Sequence, residues 1–391
     1  MRSKKGVLAA VLTVIAAALA AGCSSSGEAV GWAPSAGSGG AATGGAAGSN
    51  SATGGSATSA GSGGMPLAGG TAGASGNSTG GSTGAAGAGG SGPTSRPKIR
   101  TVGYLPNYRG ALSTWATTLD FSLVSYVNVC FGTIGAAGDI SYVDATLPTF
   151  VSAAHAAGAK VCLALGGATT NQDLGPIASQ ISSANRASFV QKITSYATSM
   201  NLDCIDIDFE GSGVNADYEG FVTALSASLK AQGKQTTGAV ASWFGDQITA
   251  NALSAFDFVN VMAYDLHNPG GSATPVQSSS LADAKVEVDY WVNRGLSKAK
   301  TVFGVPFYGY SWKPGDAMGT AVIYSDLLKT YGAAVANDEI MQNGVTVFLN
   351  SKATIQAKAQ LAEQYGGIMS WDLGQDATGN DSLLRAIHDA L

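Results

Sequence analysis

The sequence predicts an α/β fold, a (β/α)8 TIM barrel over residues 98–391, on three observations. Short apolar runs alternate with longer stretches whose apolar residues recur at three-to-four spacing, as in βα units around a parallel sheet. Eight such runs fit into about 290 residues, an ordinary length for one barrel domain. The unusual residues of the chain, acids and large aromatics, fall where those runs end, and a barrel carries its chemistry at the C-terminal ends of its strands. A doubly wound open sheet is the alternative. It usually shows a Gly-rich phosphate turn after its first strand, and none is present.

Taken in order, the first strand is Thr101-Val102-Gly103-Tyr104-Leu105, closed by Pro106. The second runs from Leu123 to Phe131, and a helix follows over Leu147–Ala156. The third strand starts at Lys160, reaches Leu165 and stops at Gly166-Gly167. A helix over about 184–200 leads into the fourth strand, and a second helix from Tyr218 to Gln232 leaves it, with Gly233 as C-cap. The fifth strand is Thr236 to Ala241 and the sixth Phe258 to Ala263, followed by a helix over Ala282–Arg294. The seventh is Thr301 to Pro306, the eighth Ile368 to Trp371, and a last helix covers about Ser382–Ala390.

The fourth strand stands apart. Leu202-Asp203-Cys204-Ile205-Asp206-Ile207-Asp208-Phe209-Glu210 sets four carboxylates within eight residues, in a chain that is 12% charged. Strand side chains alternate between faces, so Ile205, Ile207 and Phe209 form an apolar row and Asp206, Asp208 and Glu210 an acidic one. Neighbouring rungs of such a row lie roughly 7 Å apart. Asp203 is out of phase with the other three and reads as structural. Like charges that close cannot all ionise cheaply, so at least one holds a proton near neutrality. A protonated carboxylic acid is what a general-acid catalyst needs.

Other strand ends add to this. Tyr264-Asp265 ends the sixth strand and Trp371-Asp372 the eighth, while Phe131, Trp243-Phe244, Tyr308, Tyr310 and Trp312 crowd the remaining ends. Rings beside acids suit carbohydrate, whose C–H faces stack on aromatics while carboxylates take its hydroxyls.

Ahead of the barrel, residues 1–23 read as a targeting segment. Arg2, Lys4 and Lys5 form a basic start and Val7 to Ala21 an apolar run shorter than the roughly 20 residues of a membrane span. Ala20-Ala21-Gly22-Cys23 resembles a bacterial lipoprotein signal, which makes Cys23 the expected lipidation site and the protein exported and lipid-anchored at the cell surface or outer membrane; an ordinary secretory signal is the alternative. From residue 24 to 97 Gly, Ala, Ser and Thr dominate, a composition that cannot offset the entropy of ordering and is expected to be a disordered tether. As a flexible coil it would span roughly 50 Å root-mean-square.

Charge and cysteines narrow the partners. The chain has 21 basic and 26 acidic residues, and without Arg2, Lys4, Lys5 and Glu28 there remain 18 and 25, a net −7. Nucleic acid is therefore excluded as a partner and a neutral substrate favoured. Cys130, Cys162 and Cys204 each sit in an apolar run, and strand phasing puts Cys130 on the opposite face from the other two. Buried free thiols are expected, with Cys162 and Cys204 possible neighbours on adjacent strands. His155, His267 and His388 are scattered without ligand spacing, so no metal and no cofactor is expected.

The motifs resemble glycoside hydrolase family 18, the chitinase-type barrels. Asp203-x-x-Asp206-x-Asp208-x-Glu210 matches that family's strand-four signature at all four acids. Met262-Ala263-Tyr264-Asp265 matches its strand-six motif, and Gly366-Gly367-Ile368-Met369-Ser370-Trp371 and Val102-Gly103-Tyr104 its eighth and first strands. Departures occur at Cys204, Ala164, Val129-Cys130 and Gly211-Ser212; they touch the detail of sugar subsites and leave the acid set whole. Only about 60 residues separate strands seven and eight and a barrel helix must fit among them, so a single catalytic domain without the family's α+β insertion is expected, with a shallow, open cleft.

The resemblance implies a retaining endo-hydrolase of β-1,4-linked N-acetylglucosamine, in which the substrate's own 2-acetamido oxygen is the nucleophile. Glu210 would be the general acid, Asp208 the acceptor of the acetamide N–H, Asp206 its proton partner and Tyr264 a donor to the acetamide oxygen. Trp371 would floor the pocket, with Tyr104, Phe131, Met262 and Asp265 as further substrate contacts. The expected partner is chitin or another N-acetylglucosamine oligosaccharide, met by a monomer. An endo-β-N-acetylglucosaminidase cutting N-glycan cores and a non-catalytic sugar-binding barrel are the alternatives.

Overall fold

Why the chain closes into a ring follows from its strands, which are buried on both faces and therefore need cover on both sides. In the computed structural model, residues 98–168 and 174–391 are described. The expected targeting segment with Cys23 and the expected tether over 24–97 lie outside them. The barrel strands are β1 (Arg100–Pro106), β2 (Tyr126–Ile134), β4 (Lys160–Gly167), β5 (Cys204–Phe209), β6 (Gln235–Val240), β7 (Phe258–Val261), β8 (Thr301–Pro306) and β13 (Gly367–Trp371). Each pairs in parallel with its neighbours, and β1 joins β13 through Thr101 and Ile368 and β2 through Gly103 and Val127. The ring of eight is closed, as expected. A two-residue β3 (Ile140–Ser141) folds back on the end of β2.

Alternation sorts the buried residues into two layers. One holds Val102, Tyr104, Cys130, Cys162, Ala164, Cys204, Phe258, Val302 and Met369 with no helix residue among them, and is the barrel lumen. The other joins the outward strand faces to the helices. Ile205, Ile207 and Phe209 belong to it, and Phe209 stacks on Phe221, which in turn stacks on Phe189, at centroid distances of 5.7 and 5.5 Å. Those rings anchor helices α4 (Arg186–Ser199) and α5 (Tyr218–Lys230) on either side of β5. Helix α2 occupies Leu147–Ala156 and buries Leu147, Phe150, Val151 and Ala154, one stripe of a helix.

Three expectations are corrected. The segment between β8 and β13 does carry an α+β insertion: β9 (Tyr308–Trp312), β10 (Thr320–Ile323), β11 (Glu339–Gln342) and β12 (Val345–Phe348) form an antiparallel sheet in the order β10-β9-β12-β11, with helix α8 (Tyr324–Tyr331). Strands of four or five residues let it fit and still leave room for the barrel helix α9 (Lys352–Ala362). Second, Cys162 and Cys204 are paired in a disulfide, because β4 and β5 run in parallel register with these residues opposite each other and their Cα atoms 4.4 Å apart. Cys130 alone is a buried free thiol among the described residues. Third, Cys130 faces the lumen like the other two. The register of β2 against β4 shifts between Val129 and Gly132, so Cys130 and the adjacent Phe131 both reach the lumen layer, which simple alternation does not allow.

Candidate active site

At the heart of the lumen the Asp206 carboxylate is wholly buried and fully engaged. Its Oδ2 accepts from the Tyr104 hydroxyl at 2.6 Å, and its Oδ1 accepts from Thr237 Oγ1 at 2.5 Å and Asn260 Nδ2 at 3.2 Å. Asn260 also donates to the Tyr104 oxygen at 3.1 Å, so β1, β5, β6 and β7 are tied at one point. Burial lifts the Asp206 pKa and these donors pull it back, leaving it at about 6.

Asp208 lies one rung nearer the mouth and is 3% exposed. Its Oδ1 is buried without a hydrogen-bond partner, an arrangement that costs stability unless a ligand supplies one. Burial, then the charges of Glu210 and Asp206, push its pKa well above the ordinary carboxylate range. The backbone here is tightly packed. A Cβ on Gly166, at φ +116°, would stand 2.2 Å from the Asp208 carbonyl oxygen, and one on Gly167 would stand 2.7 Å from the Phe131 ring. Only glycine lets β4 end so close to the acid row.

Glu210 follows the strand and is partly exposed. Loss of water around it, then the charge of Asp265, raise its pKa to about 7. Asp265 sits just past β7 with φ +56°, and its Oδ1 accepts from the hydroxyls of Tyr308 and Tyr310 at 2.7 and 2.8 Å. Both tyrosines belong to β9, so the insertion reaches directly into the site. Tyr264 packs edge-on to Tyr308, and its own pKa is pushed well above 10, first by burial and then by Asp208, Asp265 and Glu210, which keeps the phenol protonated.

A cavity of about 240 Å³ opens beside Glu210. Met262, Tyr264 and Asp265 line it with Trp243, His267 and Glu287. Trp371 is placed elsewhere, with its ring 5.5 Å from Tyr104 and stacked at 6.1 Å on Phe131. The expected residues thus form two joined groups. Glu210, Met262, Tyr264 and Asp265 surround the cavity, while Trp371, Phe131 and Tyr104 make an aromatic wall tied to Asp206 by the Tyr104 hydroxyl. Asp203 lies at the opposite end of β5, where it accepts from Val161 N at 2.8 Å and sits 2.7 Å from His155 Nε2. Among the described residues no cluster of His, Cys, Asp or Glu is arranged to hold a metal ion.

Sequence reasoning missed Thr237, Asn260 and Glu287. Asn260 carried a signal, a polar amide inside the apolar run Phe258-Val259-Asn260-Val261, which a strand tolerates only when the amide has a partner. Glu287 is helical and 5% exposed, accepting from Ser242 N at 2.7 Å and Trp291 Nε1 at 3.2 Å; nothing in its helix marks it.

The family model for glycosyl hydrolases family 18 matches residues 100–376. A class V chitinase of Arabidopsis thaliana is 27% identical over 257 residues, 53% of this chain and 66% of that protein. A chitinase-like effector of Moniliophthora roreri is 29% identical over 192 residues, 42% of this chain and 47% of its own length. The chain thus spans about half to two thirds of these curated relatives. The crystal structure of a family 18 chitinase from the chitin utilization locus of Flavobacterium johnsoniae superposes with a TM-score of 0.68 at 30% identity, covering 75% of this chain and 94% of that one. With the family model matching most of the barrel around the acid row, the chain belongs to family 18 of the glycosyl hydrolases.

Proposed function

We propose that the protein is a chitinase-type hydrolase of β-1,4-linked N-acetylglucosamine chains, acting with retention through the substrate's 2-acetamido group. One observation carries the reading. Glu210 keeps its proton up to about pH 7 beside a buried Asp208 whose Oδ1 lacks a partner. The first is a general acid poised at neutrality, and the second an unfilled acceptor in reach of the same substrate. The named relatives, a class V chitinase and a chitinase from a chitin utilization locus, point to the same substrate class.

The reaction follows from these groups. Glu210 gives its proton to the glycosidic oxygen as the C1–O bond breaks, and the acetamide oxygen bonds to C1, forming an oxazolinium ion. Asp208 accepts the acetamide N–H and stabilises the positive charge. For that, Asp208 must pass its own proton inward, and the neighbouring acid is Asp206, which three donors hold ionised above about pH 6. Tyr264 donates to the acetamide oxygen, and the Trp371 ring floors the sugar. Water then adds to C1, Glu210 takes its proton, the acetamide is released and the anomeric configuration is retained.

The test is product analysis on N-acetylglucosamine oligomers with wild type and Glu210→Gln. The expected result is cleavage by wild type and a loss on the order of 10²–10⁴-fold in the variant, with binding kept. Equal product from both overturns the catalytic reading, and release of intact glycans from a high-mannose glycoprotein in place of oligomer cleavage overturns the substrate.

A further inference from the structure

The barrel helix that precedes β13 contains a lysine that the reaction does not use. Lys358 on α9 has no exposed surface and is among the largest fully buried side chains of the protein. Its ammonium donates to three acceptors: Ser279 O at 2.6 Å, Ser279 Oγ at 2.7 Å and Asn350 Oδ1 at 2.6 Å. An ammonium has three N–H donors, so all are used. Asn350 Nδ2 returns a bond to Ser279 O at 2.9 Å. The Ser279 hydroxyl passes its own proton on, to the carbonyl of Ala263 at 2.7 Å. Ala263 immediately precedes Tyr264 and Asp265. The neighbouring Ser278 carbonyl accepts from Leu266 N at 2.9 Å, so the 278–279 segment brackets Tyr264-Asp265 on both sides.

Such a buried cation is costly to keep. Burial lowers the pKa of Lys358 to about 7, opposed by Asp338 and by Asp283 of helix α7 (Leu281–Asn293). Replacing the whole cluster by apolar residues would usually be neutral or stabilising, so stability alone does not explain the cluster. Ser279 N also donates to Gln277 Oε1 at 3.1 Å, but the link that leads from the cluster to the site is the Ser279 hydroxyl on the Ala263 carbonyl, at the base of the Tyr264-Asp265 turn.

We propose that Lys358, acting through Ser279, is a positioning residue for Tyr264 and Asp265: it holds the Ala263 carbonyl and so fixes the turn that carries both side chains beside Glu210. The proposal rests on the reading of Glu210 as the general acid. It makes a claim beyond packing, because the charge of Asp265 helps to hold the proton on Glu210. If the turn relaxes away, Glu210 loses that support and gives up its proton at lower pH.

The experiment is the pH profile of kcat/KM on an N-acetylglucosamine oligomer for wild type, Ser279→Ala and Lys358→Met. Ser279→Ala removes only the relay and leaves Lys358 two acceptors, so it reports even where Lys358→Met does not fold. The expected result is a kcat lowered on the order of tenfold with little change in KM, and an alkaline limb moved to lower pH. A Ser279→Ala enzyme with wild-type kcat and an unmoved limb, altered only in melting temperature, overturns this proposal alone. An inactive wild type overturns the function, and the positioning role falls with it.

Discussion

Replacing Asp265 with Asn takes one negative charge from beside Glu210 and keeps an Oδ1 that can still accept from the Tyr308 and Tyr310 hydroxyls. Two causes raise Glu210 from 4.5 to about 7, burial first and the Asp265 charge second. The smaller cause supplies less than half of that rise, so the substitution should lower the alkaline limb of kcat/KM by about 0.5–1 pH unit. The sign is fixed. A general acid acts while protonated, so in the role proposed for Glu210 a lower pKa costs activity only on the alkaline side. At pH 8 the ratio should fall roughly three- to tenfold beyond any uniform loss, whereas near pH 5, where Glu210 stays protonated in both enzymes, no further loss is expected. Initial rates on a defined N-acetylglucosamine oligomer from about pH 5 to 9 measure this directly. A limb that stays in place, or moves up, would falsify the account of how Glu210 keeps its proton.

Two further outcomes follow from the site and its frame. Oligosaccharides of β-1,4-linked glucose, which lack the acetamide, should bind weakly and resist cleavage; steady hydrolysis of them at a rate near that of the N-acetylated chain counts against substrate assistance. Alkylation of the unreduced, denatured protein should label Cys130 but neither Cys162 nor Cys204, and Cys204→Ala should cost about 2–4 kcal/mol in denaturant unfolding; three labelled barrel thiols would remove the cross-strand link.

What the sequence made legible was whatever depends on local pattern. Helix Leu147–Ala156 and strand Thr301–Pro306 have the boundaries their periodicity and flanking residues imply, and the acid row of β5 faces the lumen because side chains alternate. What stayed hidden depends on register between distant strands. The Cys162–Cys204 pairing requires β4 and β5 to align residue for residue, and the donors of Asp206 come from Tyr104, Thr237 and Asn260 on three other strands. Cys130 keeps phase with Tyr126 on the lumen side of β2, and it is Phe131 that joins the same layer out of alternation where β2 slips against β4 past Val129, so a strand phased from Phe131 turns Cys130 outward. The insertion escaped notice because its strands are four or five residues long, too short for alternation to stand out from a loop.

The bond from Tyr104 to Asp206 joins the first strand of the ring to its midpoint, 102 residues away, and Asn260 binds both from further along still. No stretch of the chain contains this junction. It forms only when β1 has taken its place between β13 and β2, so the proton of the site depends on an event of ring closure. Any partly unfolded form in which β1 has peeled away leaves Asp206 without one of its donors. Turnover in mild denaturant should then decline before the helical signal does, making catalysis the earliest reporter of an opened barrel.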